Sequence, residues 1–220
     1  MSVLTAPTAS LRILPAGDRS LLVAPDERAD LVAFVDLLRR EVPTGVHDVL
    51  PAAQTILLTL TELADSRAVE ARLRELFRAL REPGGSGLAA PPPEVIRTIP
   101  VRYDGPDLTD VAALLGISVR AVIAAHTRTL WRCAFLGFAP GFGYLESAEP
   151  GLAVPRRAEA RTSVPAGSVA LADGYSAVYP RRSPGGWQLI GTTDLRLWDL
   201  ERDQPSLLRP GTRVRFVEEA

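Results

Sequence analysis

From Gly141 to the end of the chain, proline and glycine recur every few residues between short apolar runs such as SVPAGSVALA, SAVYP, GWQLIG and RVRFVE. Glycine and proline at that density end helices before they can form, while the runs between them are long enough only for short strands. Many short strands joined by tight turns predict a sandwich or a barrel, so this half is expected to be mainly β.

The first half reads differently. LRILPAG and SLLVA are short apolar runs, and from Asp26 to Val42 the residues Leu31, Phe34, Val35 and Leu38 share one helical face. VHDVLPA and QTILLTL follow as strands, and a second helix runs from Ser66, its expected N-cap, to Arg81 with Leu73, Leu76, Phe77 and Leu80 inward. Two helices over one small antiparallel or mixed sheet is the packing this order favours. Between the halves, EPGGSGLAAPPPE carries almost no large side chain, so residues 83–94 are expected to link an N-terminal domain, 1–82, to a second domain, 95–220. The second is expected to begin with the strand VIRTIPVRY, two short helices starting near Asp107 and Ser118, and the strand WRCAFLGF.

Composition removes several classes of chemistry. All 25 basic residues are arginine, so the chain offers no Schiff-base lysine and no phosphate-loop lysine. One cysteine, Cys133, and two histidines, His47 and His126, cannot make a cysteine-rich zinc site, and no metal is expected. A net charge of −1 gives no reason to expect nucleic acid or an anionic membrane as partner. No uninterrupted apolar stretch reaches membrane-spanning length and no secretory leader is visible, so cytoplasm is the expected location.

The candidate site lies in the β-rich half. FLGFAPGFGYL, residues 135–145, puts three glycines, a proline and four aromatics into a stretch without charge, which reads as a strand, Phe135 to Phe138, running into a turn that re-enters the apolar interior. PRRAEARTSVPAGSV sets three arginines ahead of a turn. There guanidinium forks and the backbone N–H groups around Gly167 and Ser168 could bind a carboxylate or phosphate, or the segment could be a solvated basic loop. Ser168 lacks the G-x-S-x-G setting of a nucleophile. SPGGWQLIG places Gly185 and Gly186 beside Trp187, a hairpin turn or a ligand wall, and neither a dinucleotide fingerprint nor a Walker sequence occurs. His126 ends a helix, where the dipole favours a histidine whatever its function, and His47 reads as an exposed loop residue.

In order, His126, GFAPGFGYL, PRR, Arg161, VPAGSVA, Tyr179-Pro180, SPGGWQLIG and PGTRVRF resemble the family of 5-oxoprolinase B subunits, also called allophanate hydrolase subunit 1, which includes the kinase inhibitor KipI. The likeness reaches upstream to VHDVLPAAQTILLTL and across to GPDLTDVA. It departs at Gly143, where the family commonly has proline, at Ala160-Arg161, where it has a second Pro-Arg, and at YDGPDL. The resemblance implies an α+β chain, a small α/β domain followed by a cyclophilin-like β-barrel. It also implies a subunit inactive alone that works with a related second subunit and a third, separate one to open the small molecule 5-oxoproline to glutamate with ATP. ATP is then a cofactor of the complex. The residues it implies are His126, Arg157, Arg161, Ser168 and Tyr179 as catalytic, with Pro140, Gly141, Tyr144, Gly167, Gly185, Gly186 and Trp187 shaping the substrate site. In it the arginines would hold a carboxylate or phosphoryl oxygens, and His126 would move or position a proton. Two other functions come with the same family: inhibition of a sensor histidine kinase, as in KipI, and half of a carboxyltransferase.

Overall fold

The computed structural model describes residues 10–82, 96–147 and 151–219. The chain packs as two compact units, Met1–Pro92 and Pro93–Ala220. The segment expected as a linker, 83–94, lies outside the described residues.

In the first unit, β1 (Leu11–Pro15), β2 (Ser20–Pro25), β3 (Val46–Pro51) and β4 (Ile56–Leu60) form an antiparallel sheet in the order β1-β2-β4-β3. Helices α1 (Arg28–Arg40) and α2 (Ser66–Arg81) complete the unit. Leu31, Phe34, Val35 and Leu38 of α1 are buried with Val69, Leu73, Leu76 and Phe77 of α2. The two helices meet edge to face through Phe34 and Phe77, with ring centres 5.3 Å apart. The cap of α2 is Asp65 rather than Ser66, because the Asp65 carboxylate accepts from the Arg67 and Ala68 backbone N–H groups. His47 is exposed as expected, but it sits on β3 and not in a loop.

In the second unit come β5 (Ile96–Val101), α3 (Leu108–Leu115), α4 (Val119–Arg128), β6 (Trp131–Leu136), β7 (Gly143–Glu146), β8 (Arg161–Val164), β9 (Ser168–Ala172), β10 (Tyr175–Val178), β11 (Ser183–Gly185), β12 (Gln188–Thr192) and β13 (Arg213–Glu218). Seven of the strands form one sheet, β12-β9-β10-β7-β6-β13-β5, antiparallel throughout except where β13 runs parallel to β5. Its two edges then meet. Arg102, just past β5, and Thr192, at the end of β12, exchange backbone hydrogen bonds of 2.9 and 2.8 Å, so the sheet curls into a nearly closed barrel. The approach is so close that a β-carbon on Gly191 would fall on the Arg102 carbonyl oxygen, and one on Gly105 would fall on the Leu189–Gly191 backbone.

Ile99, Val101, Trp131, Cys133, Leu145, Val169, Leu171, Val178, Ile190, Val214 and Phe216 fill the core, which Val111 and Ala112 of α3 and Val122 of α4 extend. Among the described residues no single helix is long and apolar enough to cross a membrane. β8 and β11 pair as a separate two-stranded ribbon. One strand is shorter than expected: β6 ends at Leu136, and Phe138 has a left-handed backbone, φ 64°, that no strand accommodates.

Candidate functional site

Asp107 caps α3 by position but not by side chain, since its carboxylate bonds none of the first helical N–H groups. It turns instead into the barrel's side. Oδ1 accepts from an Nη of Arg157 and an Nη of Arg161, each at 2.7 Å, and Oδ2 accepts from the Leu189 backbone N–H at 2.7 Å. Asp107 is only 2% exposed, so three donors, two of them charged, hold a carboxylate that would be costly to bury alone. Both guanidiniums remain partly open. Arg157 Nε and Arg161 Nη1 are enclosed and have no hydrogen-bond partner among the described residues. A buried donor left unpaired costs about 1–3 kcal/mol.

Backbone bonds tie this pair to the glycine-tryptophan segment. The Arg157 N–H donates to the Gly186 carbonyl at 2.7 Å, and the Tyr179 hydroxyl lies beside the backbone of the next residue, Trp187. Tyr179 is buried, and its hydroxyl fills the space a side chain at Gly185 would take. Around it lie Phe142 at 5.2 Å and, against Phe142, Trp187 at 5.5 Å, with Tyr144 at 5.5 Å from Trp187 and stacked on Phe135 at 4.3 Å. Burial pushes the Tyr144 and Tyr179 hydroxyls above the usual tyrosine range, so both stay protonated and able to donate near neutral pH. Arg161 and Arg156 lie close enough to Tyr179 to act on its charge.

Phe138 stands at the tip of the loop that leads into these aromatics. It is 57% exposed, its ring centre lies 5.2 Å from Phe142 and 6.3 Å from Tyr179, and the turn is closed by an Ala139 N–H to Gly137 carbonyl bond of 2.6 Å. Pro140 is exposed on the same turn. Gly141, expected at the substrate, packs instead against Leu197 and Trp198.

Three expectations change. The N–H groups proposed as an anion nest are already used: Gly167 donates to the Tyr179 carbonyl at 2.8 Å and Ser168 to the Pro165 carbonyl at 3.4 Å, because the turn needs them to hold β9 and β10 together. Ser168 itself is 3% exposed, which removes it as a reacting group. His126 is wholly buried, with Nδ1 2.7 Å from the Tyr103 hydroxyl and Nε2 2.8 Å from the Ser176 hydroxyl, and its ring stacks on Phe216 at 4.2 Å. Burial lowers its pKa to about 3, so it is a neutral core histidine and not a proton carrier for a bound molecule.

Of the expected residues, the structure therefore brings together Arg157, Arg161, Tyr179, Gly185, Gly186, Trp187 and Tyr144 through this chain of contacts. Sequence reasoning took Asp107 for a helix-start residue and missed it as the anchor. The available signal was a carboxylate just ahead of an apolar helix, LTDVAALL, in a chain rich in arginine. Among the described residues no three His, Cys, Asp or Glu side chains cluster as metal ligands.

This closing barrel, flanked by two short helices and carrying an arginine pair and an aromatic cluster on its strands and loops, is an α+β domain. The chain belongs to the family described as carboxyltransferase domain, subdomain C and D, whose model matches residues 11–208. A curated relative, the B subunit of 5-oxoprolinase from Escherichia coli O157:H7, is 53% identical over 122 residues, covering 54% of this chain and 56% of that protein. The chain spans about half the length of the curated relatives it matches. Among solved structures, that of TTHA0988 superposes with a TM-score of 0.72 at 38% identity, over 92% of this chain and 40% of that one. Kluyveromyces lactis urea carboxylase superposes with a TM-score of 0.70 over 98% of this chain and 22% of that one, and at 17% identity it speaks for the fold alone.

Proposed function

We propose that this chain is a subunit of an ATP-dependent 5-oxoprolinase, inactive alone, which acts in the cytoplasm with a related second subunit and a third, separate one to open 5-oxoproline to glutamate. The observation that carries the reading is the 53% identity to a protein named as the B subunit of 5-oxoprolinase. The arginine pair on Asp107 adds a place for an anionic small molecule, with Tyr144, Tyr179, Trp187 and the glycines at 185 and 186 beside it. ATP enters at the level of the complex, since this sequence holds no lysine and no Walker motif.

In this reading the chain binds and orients. Arg157 and Arg161 grip an anionic group by charge-assisted hydrogen bonds, and the protonated, partly open Tyr144 donates to neutral oxygen. Purified chain mixed with 5-oxoproline and ATP should give no glutamate, whereas the chain with its partner subunits should. An inactive set, alongside an active set built from the Escherichia coli proteins, removes the proposal.

A further inference from the structure

Two guanidiniums that donate to the same carboxylate oxygen are necessarily neighbours, and the shared Asp107 leaves them one net positive charge between them. Each gives Asp107 a single Nη, so most of each fork is unused, and one enclosed donor on each side, Arg157 Nε and Arg161 Nη1, has no partner among the described residues. The Leu189 N–H fixes the other oxygen of Asp107, so the carboxylate cannot swing toward either arginine. The arrangement is a held pair with donor capacity left over and a charge deficit of one unit.

We infer that Asp107 is the positioning residue of a receptor for a single carboxylate. It sets Arg157 and Arg161 side by side and cancels one of their charges, so the site takes a small monocarboxylate in preference to a phosphoryl group. A planar carboxylate matches a guanidinium fork with two parallel hydrogen bonds, and its one charge neutralises the pair. A phosphate dianion would leave an uncompensated negative charge beside a buried aspartate, which a partly enclosed site penalises. The choice of 5-oxoproline as probe rests on the proposed function, while the charge argument does not.

The test has two formats. In the reconstituted enzyme, Asp107→Asn should raise the KM for 5-oxoproline about tenfold or more while kcat moves less, as expected for lost positioning of a charge-assisted contact. Acetate should compete better than inorganic phosphate against the wild type, and that order should reverse in the variant. Should Asp107→Asn fail to fold, the partly exposed Arg161→Gln, checked by circular dichroism, should raise KM and abolish acetate competition. With the isolated chain, nuclear magnetic resonance titration should show binding of 5-oxoproline but not of 2-pyrrolidinone, the same ring without its carboxylate. An inactive reconstitution with this binding pattern sinks the proposed function and keeps the receptor. An active enzyme that processes both rings with equal KM, prefers phosphate to acetate, or is indifferent to these substitutions overturns the receptor and keeps the function. Carboxylate-independent behaviour in both formats overturns it outright.

Discussion

His126 uses both ring nitrogens inside the core, on Tyr103 and Ser176, and this decides its role. Its folded pKa of about 3 lies below its ordinary 6.5, so between those values the unfolded chain binds the proton that the folded one refuses. Its contribution to stability is therefore full above pH 6.5 and is lost as pH falls toward 3, at up to about 1.4 kcal/mol per pH unit. Urea denaturation of wild type and His126→Gln from pH 7 to pH 4 should show a steeper loss in the wild type, and parallel profiles would contradict the assignment. Phe138 is the other residue whose backbone is informative. Glycine enters the left-handed region freely, while a β-branched side chain there is worst placed, at a cost of about 1–2 kcal/mol. Phe138→Gly should hold the wild-type melting temperature within a few degrees, and Phe138→Val should fall well below both. Equal stability of the valine and glycine variants would show that the strain is released elsewhere.

At the scale of elements, the barrel depends on the seam between the end of β5 and the end of β12, where two backbone hydrogen bonds between Arg102 and Thr192 join the edges. A methyl on Gly191 would push against the Arg102 carbonyl, and overpacking of this kind costs about 1–3 kcal/mol. Gly191→Ala should lower stability by that amount and speed hydrogen exchange at the Arg102 and Thr192 amides, whereas unchanged exchange would mean the seam tolerates the added carbon. The elements themselves were largely legible. Both helices of the first unit follow from Leu31, Phe34, Val35, Leu38 and from Leu73, Leu76, Phe77, because the 3.6-residue period is local. The strands after Gly141 follow from turn residues for the same reason. What the sequence hid is long-range. The seam pairs residues ninety positions apart, Arg102 with Thr192, and Asp107 meets arginines fifty and fifty-four positions away. At Asp107 the local signal marks only a helix start, whereas the side chain serves as an anchor. The anion nest failed likewise, since nothing in VPAGSV says that the Gly167 N–H will be taken by Tyr179.

For the whole molecule, the family follows from motifs spread over most of the chain, and the barrel that carries them brings the arginines, the tyrosines and the glycine-tryptophan segment into one connected region. The chain's likeness to 5-oxoprolinase B subunits and its arginine pair support the proposal that this chain supplies an anion-gripping site to a 5-oxoprolinase. The most direct measurement is ATP-dependent glutamate formation by the partner subunits alone, with the wild-type chain, and with Arg161→Ala shown by size-exclusion chromatography to assemble normally. The expected result is no turnover without the chain, turnover with it, and a loss of about tenfold or more in kcat/KM with Arg161→Ala. Turnover without the chain, or full activity with Arg161→Ala in an intact complex, would contradict it.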